Sequence, residues 1–131
     1  MSSALFITLE REFPGIDAGS VNGKFLSRNL DWLDEVAHKL TVRSLSSLIS
    51  VNPEEAAAFF EGEGADPADL PFRAEEWFDA SEGLRTIDAL LEHTKSLRPD
   101  DQQLLRDLID CQRLLDRLRK ENIRFHFAVD F

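Results

Sequence analysis

The chain predicts a single α+β domain, and three observations carry that expectation. Apolar residues alternate at both ends of the 131 residues, as strands do; two long stretches between them repeat apolar residues every three or four positions, as helices do; and all five prolines and most of the six glycines fall between these periodic segments. The expected fold is a small sheet in which the N- and C-terminal strands are neighbours. Against it pack about four helices, two of them an antiparallel pair. A C-terminal strand left alone would expose its hydrogen-bonding edge, which is why the two ends are expected to meet.

Each element has its own warrant. Residues 4–9 place Leu5, Ile7 and Leu9 on one face and Phe6 and Thr8 on the other; two apolar faces suggest a central strand. After a loop with Pro14 and Gly15, Asn22 can cap a helix over 23–40, whose stripe is Leu26, Leu30, Leu33, Ala37 and Leu40. Residues 44–51 suit a short helix or a strand, with helix preferred. Asn52-Pro53-Glu54-Glu55 starts a helix to about residue 60, and residues 61–71 form an acidic loop with two glycines and two prolines. Residues 72–78 read as extended. Asp79 and Glu82 form a capping box for a helix over 80–97, and Pro99 closes a short link to a helix over 100–121. The stripe of that last helix is Leu104, Leu108, Cys111, Leu115 and Leu118, and Asn122 can end it. The final strand, 123–131, puts Ile123, Phe125, Phe127, Val129 and Phe131 on one face. Arg124, His126, Ala128 and Asp130 lie on its other face, which is expected to be half solvated.

Composition excludes several classes of function. One cysteine allows no internal disulfide, thiolate zinc site or CxxC redox pair, and fits a reducing, cytoplasmic setting. No apolar run is long enough to span a membrane, and residues 4–9 are too short for a secretory signal. The net charge of −10 argues against nucleic acid and anionic membranes as partners. That charge is lopsided. Between residues 52 and 82 stand ten acids against Arg73 alone, so the rest of the chain is close to neutral.

Chemical motifs are sparse. Gly15, Gly19, Gly23 and Lys24 follow a strand and precede a helix, but the spacing of a phosphate loop fails: Ala18 and Phe25 stand where Gly and a hydroxyl residue would be needed. His38, His93 and His126 have no His or Cys at i+3 or i+4, so no local metal pair exists, and no cofactor is expected. Cys111 lies on an apolar stripe and is expected to be buried and inert. His126 and Asp130 share a strand face but stand about 13 Å apart along it, so a dyad would need another carboxylate, such as Glu10 across the paired ends. Glu75-Glu76-Trp77-Phe78-Asp79 sets two large aromatics among acids, either a core anchor or a recognition patch for something cationic.

At three places the chain resembles a group of small bacterial conserved hypothetical proteins. These are Leu5-Phe6-Ile7-Thr8-Leu9-Glu10 with Pro14-Gly15 after it, Glu76-Trp77-Phe78-Asp79 leading into Gly83-Leu84, and Phe125-His126-Phe127-Ala128-Val129-Asp130-Phe131. The likeness spans most of the chain and implies no activity.

The leading expectation is a non-catalytic protein whose acidic lobe, residues 52–82, docks a basic protein. Its candidate binding residues are Glu61, Glu63, Asp66, Asp69, Glu75, Glu76, Trp77 and His126. Two alternatives remain: a small-molecule binder or hydrolase with a site around His126, Glu10 and Trp77, and a homodimer pairing through the helix over 100–121.

Overall fold

The computed structural model describes residues 4–16, 21–50 and 76–130. The expected helix over 53–60, the acidic loop 61–71 and the first part of the extended run, 72–75, lie outside the described residues.

The two ends of the chain pair as expected. Strand β1, Ala4–Leu9, runs antiparallel to β2, Phe125–Asp130, with Leu5 opposite Val129, Ile7 opposite Phe127 and Leu9 opposite Phe125. The period of two turns Leu5, Ile7, Phe125 and Phe127 onto one face, and all four are buried. Among the described residues the sheet has only these two strands, so β1 is not central. Its outer edge meets one residue, Gly23, whose N–H and carbonyl both bond Leu5. A side chain at Gly23 would begin 2.5 Å from the Leu5 carbonyl oxygen, so only glycine allows that approach. The outer edge of β2 is better covered, by Phe78 against Phe125 and Ile49 against Phe127.

The helix expected over 23–40 is two helices, α1 (Lys24–Arg28) and α2 (Leu30–Lys39). Asn29 divides them at φ −107°, ψ 15°, with its side-chain amide donating to the Phe25 carbonyl at 2.8 Å. The Asn29 backbone N–H bonds the same carbonyl at 3.1 Å, so side chain and main chain share that acceptor. Nor does Asn22 cap α1; the cap residue is Gly23, with no side-chain bond. Asp107, 82 residues away in sequence, accepts the Phe25 N–H at 2.9 Å instead.

α2 ends in a Schellman turn: the Thr41 N–H bonds the His38 carbonyl and the Val42 N–H bonds that of Ala37. Residues 44–51 then combine both readings in succession. A single 3-10 turn, Ser46–Leu48, is anchored by Asp34, which accepts from the Ser46 N–H and hydroxyl; Ile49 and Ser50 then join the edge of β2.

Helices α3 (Ala80–Leu97) and α4 (Gln102–Lys120) are the expected antiparallel pair. The Gln112 amide donates to Asp88 at 2.7 Å, which matches a hairpin closed by residues 98–101. Ile87, Leu90 and Leu91 of α3 meet Leu104, Leu108, Cys111, Leu115 and Leu118 of α4 in the core, and each such buried side chain contributes roughly 1.5–3 kcal/mol. The apolar stripe of α4 is thereby covered within the chain. Asp79 occupies the cap position of α3 but makes no side-chain cap bond, so the expected capping box is not formed. Glu82 pairs with Arg43 at 3.6 Å instead. At α4, Asp101 does cap, accepting the Leu104 N–H at 3.3 Å. Asn122 ends that helix at φ 55°, and the following Ile123 is buried.

Candidate functional site

The acidic segment leaves and rejoins the described structure at one place, the outer edge of β2. On the way out, the Ser50 N–H donates to the Phe127 carbonyl at 2.9 Å. On the return, Phe78 and Phe125 exchange two backbone bonds of 2.8 and 3.0 Å. The two stalks are joined directly, because the Glu76 N–H donates to the Ser50 hydroxyl at 2.8 Å. Ser50 is itself buried, so the bond is shielded from competing water. Both ends of the segment are thereby held side by side on a strand of the core.

Trp77 and His126 meet at this junction. Their ring centroids are 4.5 Å apart at an interplanar angle of 40°. Trp77 is half-buried and His126 is 3% exposed, so the expectation of a half-solvated face fails at His126, which the indole covers. The imidazole Nδ1 lies 3.2 Å from the Phe127 carbonyl, an acceptor for an N–H there.

Glu10 does not join them. The strand register carries it opposite Arg124, and both of its oxygens are engaged. Oε1 accepts the Arg124 backbone N–H at 3.1 Å; Oε2 accepts the guanidinium Nε and Nη2, each at 2.9 Å. The Arg124 backbone N–H, with help from its guanidinium, holds the Glu10 carboxyl below the usual carboxylate range. The residue opposite His126 is Thr8. The structure thus unites His126 with Trp77, and assigns Glu10 to a structural ion pair. Glu61, Glu63, Asp66, Asp69 and Glu75 lie outside the described residues.

Other chemistry finds little purchase. A cleft of about 370 Å³ beside the start of α3 is lined by Glu10, Ser81, Arg119 and Arg124, but Glu10 and Asp116 take up its two arginines. A wider, open cleft of about 760 Å³ follows β1 and the turn at Pro14 and Gly15. Neither is lined by Trp77 or His126. Among the described residues no three His, Cys, Asp or Glu side chains gather as metal ligands would. Cys111 is fully buried; burial foremost, with the Asp107 and Asp110 carboxylates, pushes its thiol pKa far up, so it carries almost no thiolate. Among the described residues no helix is long and apolar enough to cross a membrane.

Ser50 and Asp107 are the contributors that the sequence did not reveal. Each acts on a partner 26 or more residues away, and neither sits in a motif. The chain matches no protein-family model, no curated protein and no solved structure.

Proposed function

We propose that the chain is a non-catalytic interaction protein whose acidic lobe, 52–82, docks a basic protein partner. The observation that supports this most is the clasp at Ser50 and Glu76: the most charged stretch of the sequence is tied at both ends to one rigid strand edge. A surface that must present charge to a partner gains affinity when it is held on a fixed frame, because less freedom is lost on docking. The position of Trp77 adds to the reading. It is a partly exposed aromatic beside Glu76, tilted against a buried imidazole, and such a pairing suits an arginine or lysine side chain.

Charge reversal tests it. Changing Glu61, Glu63, Asp66 and Asp69 to Lys should leave the fold intact. The affinity for a defined basic protein partner, identified by cross-linking and then purified, should fall by at least about 100-fold, or roughly 2.8 kcal/mol. Binding by the parent should weaken steeply with added salt. A fourfold variant that binds every such partner as the parent does would exclude the lobe as the docking surface.

A further inference from the structure

Helix α4 carries a feature that the core does not use. At 100° per residue, Arg106, Arg113, Arg117 and Lys120 fall within about 60° of arc and span about 21 Å along the axis. All four are exposed. Arg117 and Lys120 have loose partners, Glu121 at 3.9 Å and Asp116 at 3.2 Å, while Arg106 and Arg113 form no ion pair with any described residue. Helix α1, docked on α4 through Asp107, adds the exposed Lys24 and Arg28 and no acid of its own. A chain of net charge −10 thus displays a basic stripe along α4, flanked by Asp110 and Asp116.

We infer that this ridge receives the acidic lobe of a second copy of the chain. This rests on the reading of the lobe as a docking surface and names a partner for it. Charge complementarity selects that occupant: residues 52–75 carry seven acids and one arginine, the opposite sign at comparable density. Lobe and ridge are complementary patches, so the contact adds copies head to tail or closes a two-fold dimer in which each lobe meets the other copy's ridge.

The salt dependence has a distinctive form. Two copies of net charge −10 repel at long range, and the repulsion extends over about 30 Å at 0.01 M salt and about 8 Å at 0.15 M. Ridge-to-lobe pairs act at contact distance and are screened away only near 1 M, where the Debye length is about 3 Å. Association should therefore peak at intermediate salt. A hydrophobic contact would strengthen steadily with salting-out ions, and a simple attraction of opposite surfaces would decline steadily.

Sedimentation velocity of the full chain across salt and protein concentration reads this directly. The parent is expected to show concentration-dependent growth in mass near 0.1–0.2 M salt, with less at 0.01 M and none at 1 M, a window set by those screening lengths. Two variants decide the surfaces: Arg106→Glu with Arg113→Glu, and the fourfold lobe reversal to Lys. Each alone should remain monomeric: the ridge variant loses the two arginines that have no ion pair among the described residues and gains two repelling acids, and in the lobe variant lobe and ridge are both basic. Mixed in equal amounts they should associate, because each supplies what the other has lost. Arg106→Gln with Arg113→Gln, a milder change, should give an intermediate loss. A parent that stays monomeric at every salt, or ridge variants that assemble like the parent, overturns the inference. The ridge variant should bind a foreign basic protein as tightly as the parent. If it does so while the mixture fails to associate, self-docking falls and the lobe reading stands; if the lobe reversal leaves foreign binding intact, the lobe reading falls.

Discussion

The ring of Phe125 occupies the space where a side chain at Gly83 would begin: a Cβ there would lie 2.8 Å from Phe125 Cε1, with Leu115 Cδ1 at 3.2 Å. Helix α3 can approach β2 this closely only because that position is glycine. Helix propensity alone would favour alanine by about 1 kcal/mol. Phe125 is fully buried and packed edge-to-face on Phe127 at 5.5 Å, so the ring cannot yield cheaply. Gly83→Ala should therefore destabilise, by about 1–3 kcal/mol, the usual cost of overpacking. Chemical denaturation measures it, and adding Phe125→Leu should recover part of the loss.

Two helix ends use the same turn with different residues. Thr41 adopts φ 59° after α2, and Asn122 adopts φ 55° after α4. A β-branched residue is strained in this region, whereas Asn enters it readily. Thr41→Gly should raise stability by about 0.5–1 kcal/mol, the strain relieved less the extra freedom that glycine gains in the unfolded chain. Asn122→Gly should change it by less than half as much. Thermal melts of the two variants side by side provide the comparison.

Thr94 is fully buried in α3, and among the described residues its hydroxyl finds no hydrogen-bond partner. Leaving such a group dry and unpaired costs about 1–3 kcal/mol. Thr94→Val replaces the hydroxyl with a methyl of similar size and should stabilise by about 1 kcal/mol. A lower urea midpoint for the variant would show that the hydroxyl is satisfied.

Asp107 predicts a pH dependence. Burial pushes its carboxyl above the usual carboxylate range, the N–H groups of Phe25 and Leu26 pull it back, and Asp110 adds to the rise. The folded chain then keeps this proton to a higher pH than the unfolded chain does. Between those two pKa values the folded state holds more protons, so this contribution to stability is present at low pH and is lost as pH rises through the folded value. Asp107→Asn keeps an acceptor for Phe25 and has no proton to lose. Its stability should approach that of the parent at low pH and gain on it towards neutrality. Asp107→Leu orphans two N–H groups and should destabilise at every pH, by about 1–3 kcal/mol. Urea midpoints from pH 3 to 8 separate these outcomes.

What could be read from sequence followed periodicity. The alternation at residues 4–9 and 123–131 located both strands and their pairing, and the apolar stripes located α3 and α4 to within a residue or two. What periodicity does not encode is competition from side chains and contacts made across the fold. The stripe from Leu26 to Leu40 runs unbroken through Asn29, so the division into two helices leaves no mark in the periodicity. The absence of the capping box has the same character, since Arg43 draws Glu82 away. At the candidate site, alternation placed His126 on the outer face of β2 but could not show that Trp77 covers it. Glu10 does cross to β2, but it meets Arg124, two residues along the strand from His126, so the expected pairing with His126 fails.

The clasp between Ser50 and Glu76 asks little of side chains. Its two strands of traffic, outgoing at Ile49 and returning at Phe78, are fixed to β2 by backbone bonds that place no demand on the residues between them. Lengthening an excursion whose ends are already fixed adds little, about 0.6 kcal/mol for each doubling. The bonds at Ser50, Glu76 and Phe78 call for main-chain groups and one hydroxyl, so the junction asks for a path of the backbone and not for a sequence motif.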